Sequence, residues 1–405
     1  MKRSKVIGGV VVIVILTAIG IYLATSKTGF KEGEISRIED WKDDYPLIYE
    51  SYMDNADMSK TTYGGSEPID YLKEHPNLKT FYDGYGFSIE YLRARGHVYA
   101  LDDVINTARP KPGASCLSCK TADFTVAVEE DGVTVNKIDF QEFLEDHPQT
   151  STINCYDCHR NEPGKIEVTR AHLTKALAYV EGEESPNNQV CAQCHVEYYL
   201  EPVNKEVVLP WKDGIDTDDM LVYYDEINFG DWQHPTTGAN LLKAQHPEFE
   251  TFKDSIHDRA MLTCTSCHMP EILGDNEIKS HHWTSPLKSK EGLASACATC
   301  HWESNEDLIE RVEGVQEKVF IKTNEVSNEL NDFIERLSSA VADDAVKGND
   351  LEELQDIHRR AQFKWDFVFV ENSEGFHNSQ KAHQNLDEAR ELVKEGIELI
   401  EKYGY

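Results

Sequence analysis

Five Cys-x-x-Cys pairs use all ten cysteines of this 405-residue chain, and they constrain its fold more than any other feature. In four pairs a histidine directly follows the second cysteine, at His159, His195, His268 and His301. The first pair has Lys120 at this position. Cys-x-x-Cys-His is typical of c-type haem, because two thioethers hold the porphyrin and the adjacent histidine binds the iron. The predicted attachment residues are Cys116, Cys119, Cys155, Cys158, Cys191, Cys194, Cys264, Cys267, Cys297 and Cys300.

Zinc sites and disulfides are the alternative uses of such pairs. A lone Cys-x-x-Cys is often a zinc site or a redox pair. One zinc ion could not easily bind both a cysteine and the histidine next to it, and a disulfide framework would have more varied spacings. We therefore predict five covalent c-type haems.

Charge and composition limit the partners and the kind of core. The formal net charge is −33, which excludes nucleic acid as a natural partner. Hydrophobic residues make up 40%, a modest share that haem faces can supplement. The predicted fold class is mainly α, a multihaem cytochrome c with a haem-packed core, few short strands and long C-terminal helices.

The N-terminal segment is apolar. Residues 6–25 carry no charge, and Lys2, Arg3 and Lys5 precede them. About twenty apolar residues can cross a bilayer, and flanking basic residues stay in the cytoplasm. We expect residues 1–26 to be an uncleaved anchor that keeps the protein periplasmic or at the outer face of the cytoplasmic membrane. A cleaved signal peptide is the alternative.

The character of the sequence changes near residue 305. Apolar residues at spacings of three and four predict an amphipathic helix of eight or more turns, whose stripe would pack on a partner helix, in one interpretation across a homodimer. Two further helices are expected, from Leu351 to Val370 and from Asn385 to Lys402. The predicted division is a haem-bearing region at 27–304 and a helical region at 305–405 within the same domain. The stripe comprises Leu308, Val312, Val315, Val319, Thr323, Val326, Leu330, Phe333 and Leu337.

Lys120 gives the first haem a different role. Two imidazoles leave iron no open site, whereas one protein ligand leaves a face free for a small molecule. Lysine binds iron only as the neutral amine, and its unperturbed pKa is about 10.4, so coordination and burial must remove the proton. The alternative is that Lys120 is unrelated and a histidine elsewhere binds this haem. An open haem fed by four others suits multi-electron reduction of a small oxyanion, with cationic and protic groups on the open face.

In motif order, one Cys-x-x-Cys-Lys followed by four Cys-x-x-Cys-His, the sequence resembles the pentahaem cytochrome c nitrite reductases, which form ammonia from nitrite. The resemblance covers roughly residue 90 to the end. It implies that region 27–304 is catalytic and that Lys120 binds the catalytic haem. By local motif it places the residues of the open face at Arg109, Tyr198 and His246.

The resemblance further implies a calcium ion and a set of distal iron ligands. The calcium ligands would be the Glu197 carboxylate, the Tyr198 and Lys243 carbonyls and the Gln245 amide oxygen, a mixed oxygen set that suits a hard cation. His281 is preferred over the adjacent His282 because its sequence separation from Pro286 matches the family pattern. The implied distal ligands are His97 for the third haem, His281 for the second, His257 for the fifth and His377 for the fourth.

The family resemblance also implies a homodimer built by the C-terminal helices. The electron donor is expected to be a quinol-oxidising membrane multihaem cytochrome or a soluble multihaem carrier. Two rival functions remain open at this point. One is reduction of another small species, such as hydroxylamine, nitric oxide or sulfite, and the other is electron transfer without catalysis, with every iron capped on both sides.

Overall fold

The structure is a computed structural model that describes residues 30, 34–180, 182–272, 278–289 and 292–405. The predicted anchor at residues 6–25 lies outside these ranges. Within them, no helix combines the length and the apolar character needed to cross a bilayer.

Helices dominate the described ranges, and most of those before residue 300 are short. The α-helices are α1 Pro46–Met53, α2 Tyr71–Glu74, α3 Leu78–Phe81, α4 Ala100–Asn106, α5 Ala122–Asp131, α6 Phe140–Asp146, α7 Tyr156–His159, α8 Ala171–Ala176, α9 Pro186–Ala192, α10 Thr217–Glu226, α11 Glu248–Phe252, α12 Ile256–Arg259, α13 Cys264–His268, α14 Asn305–Ala342, α15 Asn349–Phe369 and α16 Ser379–Glu401.

Two small antiparallel pairs supply the strands in the part of the chain that the structure describes. They are β1 Tyr199–Leu200 with β2 Val207–Val208, and β3 Trp232–Gln233 with β4 Asn240–Leu241. Short 3₁₀ turns are Ile38–Trp41, Asp54–Ala56, Gly86–Ser88, His97–Tyr99, Ala114–Leu117, Val133–Lys137, Leu177–Tyr179 and Pro286–Lys288, and a π-helical turn spans Leu293–Cys297. The predicted fold class is confirmed.

The three long C-terminal helices form a bundle. Ser304 caps α14 by accepting a hydrogen bond from the Asp307 amide. The acidic side chains of Glu306 and Asp307 lie in the first turn, where they interact favourably with the positive end of the helix dipole. The apolar stripe of α14 is largely buried against α15 and α16 of the same chain. The stripe therefore finds its partner helices within the chain and gives no support to the expected homodimer, which stays a prediction.

Helix α15 contributes to two hydrophobic cores. Its Trp365 packs on Phe81 of α3, with ring centroids 4.9 Å apart, within the bundle core. Its Phe363 and Phe367 belong to a second core around Trp211 and Phe249. The helical bundle is thus packed directly against the segments that precede residue 304, and α15 is a fixed support for the site described next.

Candidate haem cavity and active site

Each Cys-x-x-Cys-His motif forms one helical turn. The backbone amides of His159, His195 and His301 each donate to the carbonyl of the first cysteine of their motif at 2.9 Å. The fourth motif is helix α13 itself. Positions i, i+3 and i+4 of a helix share one face, so both cysteines and the histidine of each motif can serve one porphyrin.

All five motifs face a single cavity of about 1860 Å³, which all ten cysteines line. Every cysteine of the chain is described, and no two of them form a disulfide, which contradicts the disulfide alternative. Among the described residues, no group of three or more His, Cys, Asp or Glu side chains is arranged to hold a metal ion.

Histidine rings lie in pairs across the cavity at the spacing that an iron ion requires. Two imidazole nitrogens, each about 2 Å from a shared metal, place the ring centroids roughly 6 Å apart. The centroids of His97 and His195 are 6.0 Å apart, and those of His268 and His377 are 6.1 Å apart. The residues therefore fit haem, and these pairs are the ones expected for the third and fourth haems.

The pair for the second haem is His159 with His281, whose centroids are 6.2 Å apart. His281 lines the cavity, whereas the adjacent His282 is not among its lining residues. Their positions favour His281 as the distal ligand.

The predicted pair for the fifth haem, His257 with His301, also lines the cavity. Burial lowers the pKa of His257, and the charge of His301 lowers it further. The structure thus holds three of the four assigned pairs at ring distances of 6.0–6.2 Å and places both members of the fourth on the wall of the same cavity.

Lys120 follows Cys119 in a turn and lines the same cavity, half-buried. Its side-chain amine makes no hydrogen bond or ion pair with any residue that the structure describes. Burial raises the pKa of the Cys116 thiol, while the positive charges of Arg109, Lys111 and Lys120 lower it. Three cations are therefore gathered at the first motif of a strongly acidic chain.

Arg109, Tyr198 and His246 all line the cavity near this motif. The Arg109 guanidinium lies 4.2 Å from the centre of the Phe87 ring, and its Nε donates to Thr107 Oγ1 at 3.3 Å. No carboxylate among the described residues pairs with it, so this guanidinium remains available to an anion.

Burial raises the pKa of Tyr198, and the neighbouring thiols of Cys119 and Cys116 add to the rise, so its hydroxyl keeps its proton. Burial lowers the pKa of His246 to about 4, against the opposing charge of Glu248. The Nδ1 atom of His246 is buried and has no hydrogen-bond partner. A buried ring nitrogen without a partner is unusual in a protein and fits a group that meets a ligand.

The expected calcium ligands are also close together. The Glu197 Oε2 atom accepts from the Gln245 backbone amide at 2.6 Å, and the Gln245 side-chain amide lies 3.1 Å from the Lys243 carbonyl. The two ends of an amide group exchange by a half turn, which would direct the Gln245 oxygen beside the Lys243 carbonyl.

The charge around Glu197 favours a cation. Burial raises the pKa of Glu197 well above its usual range, and the nearby Glu250 and Asp231 carboxylates add to the rise. A divalent cation would offset this concentration of buried negative charge. The donor groups and their charge therefore fit calcium.

Several buried polar residues around the site were not predicted from the sequence. Asp366, on α15, accepts from the Ala244 amide at 3.0 Å. Arg170 pairs with Asp157, and Glu371 accepts from His377. Single polar residues in loops and helices carry no motif, so only the tertiary structure identifies them.

Comparison with known proteins gives concordant matches. The family model for cytochrome c552 matches residues 37–403. The cytochrome c nitrite reductase subunit NrfA of Nitratidesulfovibrio vulgaris is 34% identical over 411 residues, covering 89% of this chain and 77% of that protein. A cytochrome c-552 of Porphyromonas gingivalis is 32% identical over 401 residues, covering 91% and 78% respectively.

A solved structure is similar throughout. The catalytic subunit of cytochrome c nitrite reductase from Desulfovibrio desulfuricans, a protein with two calcium sites, superposes with a TM-score of 0.84. It is 31% identical, and the match covers 93% of this chain and 88% of that one. These matches confirm the resemblance inferred from the motifs and extend it towards the N-terminus, to residue 37 rather than 90.

Proposed function

The chain belongs to the cytochrome c552 family, and from that membership we propose that it is an ammonia-forming nitrite reductase. Nitrite would be reduced to ammonium by six electrons at a lysine-ligated haem, with four bis-histidine haems as the electron supply. The observation that carries this proposal is the asymmetry of the cavity. Four motifs present a histidine, and three of these rings lie about 6 Å from a second imidazole, whereas the first motif presents a lysine amine without a protein partner, in the cavity that Arg109, Tyr198 and His246 also line.

Cys116, Cys119 and Lys120 would hold the catalytic haem. When bound, that haem supplies an iron with one open position and delivers the electrons. The other attachment cysteines and the four ring pairs would hold the remaining haems. The position of each residue on the cavity wall and the spacing of three ring pairs support these roles.

The protein groups at the open face would hold the anion and move protons. Arg109 offers a fixed fork of donors to the two oxygens of nitrite. His246 is neutral and its Nδ1 atom has no partner, so Nδ1 would take a proton from water or another acid while the Nε2–H proton goes to a nitrite oxygen. The protonated Tyr198 hydroxyl would donate a further hydrogen bond. Together these contacts favour loss of the oxygens as water.

Local positive charge would draw the substrate to an otherwise acidic molecule. Arg109 and Lys111 supply this charge at the Cys116 end of the cavity, whereas an iron-bound Lys120 would be neutral. A calcium ion held by Glu197, the carbonyls of Tyr198 and Lys243, and Gln245 would fix the segment that carries His246 and add positive charge.

The test is ammonium production from nitrite by the purified full-length protein with a reduced viologen dye. His246→Ala should cut turnover by about 10²-fold or more while five haems are retained. His383→Ala, on α16 and away from the cavity lining, is the matched control and should keep full turnover. Unchanged turnover in His246→Ala, or an oxidised protein with no high-spin iron signal, would refute the proposal.

The dimer and the donor follow the same family argument, whereas the anchor is inferred from the uncharged apolar segment at residues 6–25. We propose a homodimer, an electron donor that is either a quinol-oxidising membrane multihaem cytochrome or a soluble multihaem carrier, and a periplasmic position anchored by residues 6–25. Analytical ultracentrifugation of the holoprotein tests the dimer. Membrane fractionation with and without residues 1–26 tests the anchor.

A further inference from the structure

A buried carboxylate contacts one of the predicted haem ligands. The His377 Nδ1 atom donates to Glu371 Oε1 at 2.7 Å, and Glu371 is only 2% exposed. Both residues lie in the loop between α15 and α16. The Nε2 atom of His377 is left to face the cavity and the ring of His268.

Ser373 completes this unit. Its amide donates to Glu371 Oε1 at 3.1 Å, and its hydroxyl donates to Glu371 Oε2 at 2.6 Å. The same hydroxyl accepts from the His377 backbone amide at 2.8 Å. The carboxylate is therefore held in one orientation towards the imidazole by contacts on both of its oxygens.

Other predicted ligands have neutral partners at the same ring position. The Nδ1 atom of His159 donates to the Lys165 carbonyl at 2.9 Å. The Nδ1 atom of His281 donates to the Lys279 carbonyl at 3.0 Å. The pair expected for the second haem thus has two neutral acceptors, whereas the pair expected for the fourth has a charged one.

His268, opposite His377, donates to the Thr284 carbonyl at 3.0 Å. His195 lies 3.5 Å from Glu248, a longer contact than that of His377. Among the ring contacts that the structure describes, the hydrogen bond to Glu371 is therefore the shortest to a charged acceptor.

A charged acceptor changes the electronic character of a ligand. A hydrogen bond from imidazole to carboxylate is shorter and stronger than one to a carbonyl, and it raises the basicity of the nitrogen bound to the metal. A more basic ligand and a nearby negative charge both favour ferric iron, which carries one more positive charge than ferrous iron. Burial strengthens the effect, because little water screens it.

We propose that Glu371 is a positioning residue that acts through His377 to lower the reduction potential of the haem attached at Cys264 and Cys267. The haem at Cys155 and Cys158, whose ligands have neutral acceptors, lacks this contribution. One electron is taken up at the iron, and no bond to it forms or breaks. The proposal depends on haem binding and holds whether or not the chain reduces nitrite.

The test is a redox titration of the holoprotein followed by absorbance, together with the low-spin electron paramagnetic resonance signals. In Glu371→Gln the amide oxygen still accepts from His377, but the charge is gone. The midpoint potential of one of the five one-electron transitions should rise by about 59 mV, which corresponds to a tenfold change in its equilibrium constant. The signal of one low-spin haem should change with it.

Ser373→Ala gives a second variant with the opposite expectation. It removes the hydroxyl that donates to Glu371 and leaves more negative charge facing His377, so the same transition should move downward. A merely structural role would move both variants in one direction. Glu398→Gln, a charge removal on α16, should leave all midpoints unchanged. Midpoints unaffected in both loop variants, or an equal shift of all five, would overturn the proposal.

Discussion

The buried ion pair between Lys243 and Asp366 joins the bundle to the segment that carries Gln245 and His246. The Nζ–Oδ2 distance is 2.9 Å, and the side chains are 1% and 0% exposed. Lys243 Nζ also lies 5.0 Å from the centres of two aromatic rings, so aromatic groups rather than water surround its charge. Since Asp366 also binds the Ala244 amide, it holds the backbone just before the site.

Replacing Asp366 with Asn removes the negative charge and keeps the shape. The Lys243 ammonium then remains buried without a counter-charge, which costs about 3–5 kcal/mol. At roughly 1.4 kcal/mol per tenfold change, the unfolding equilibrium should shift by at least about a hundredfold.

Burial lowers the pKa of Lys243 and raises that of Asp366, so desolvation outweighs the mutual attraction for both groups. The double replacement Lys243→Met with Asp366→Asn removes both charges and keeps an acceptor for the Ala244 amide, so it should recover most of the stability lost in the single variant.

The assay is urea denaturation of the holoprotein at fixed calcium concentration, followed by far-ultraviolet circular dichroism. Asp332→Asn is the matched control, because its pairing with Arg336 on α14 is exposed (51% and 37%) and should contribute only about 0.3–0.5 kcal/mol. A loss below about 1 kcal/mol in Asp366→Asn, or a double variant as unstable as the single one, would refute the reasoning.

Three further predictions concern stability and use the same assay. Burial lowers the pKa of His358 to about 3. As the pH falls below about 6.5, this histidine becomes protonated in the unfolded chain before it does in the folded protein, so the free energy of unfolding should fall by up to ~1.4 kcal/mol per pH unit. His358→Gln should make this pH dependence weaker. Gly314→Ala should stabilise α14 by about 1 kcal/mol, since a Cβ there meets nothing within 4 Å, whereas Gly396→Ala, whose Cβ would lie 2.5 Å from a ring carbon, should destabilise by about 1–3 kcal/mol. Arg170→Met should cost about 3–5 kcal/mol by leaving the buried Asp157 unpaired. The first prediction is contradicted if the stability of the wild-type protein does not change between pH 6.5 and lower pH. The second is contradicted if both glycine variants change stability in the same direction, and the third if Arg170→Met is as stable as the wild-type protein.

The covalent positions and ring pairs could be predicted because they depend on chemistry that repeats. Each motif contains its own attachment cysteines and, in four cases, its own histidine. Because a six-coordinate haem iron needs a second axial ligand, the isolated histidines of the chain are the candidates for it. Which isolated histidine belongs to which motif was implied by the family resemblance. In the structure the rings of His97, His281 and His377 lie 6.0–6.2 Å from their assigned partners and His257 lines the same cavity, and the ligand roles stay predictions. The long helices were equally readable, since a period of three and four residues over many turns has few alternatives.

The polar groups behind the ligands could not be predicted in this way. Glu371 and Asp366 are single acidic residues in an acidic chain, and nothing local distinguishes them from solvated ones. Their roles depend on which distant backbone amide or ring packs against them. The stripe of α14 shows the same limit, because periodicity reveals an apolar face but does not say whether the helix that covers it belongs to the same chain.

The pairing of distant rings affects how the polypeptide can be divided. His97 faces His195, His159 faces His281, and His268 faces His377, so the three spans overlap along the sequence. Each metal bridge would close a long loop, and no cut point between residues 97 and 377 avoids crossing one of them. A fragment that stops at the end of α15, at Phe369, would contain every attachment cysteine and still lack His377. Fragments of the chain expressed alone should therefore bind haem with an incomplete set of iron ligands and should not fold independently.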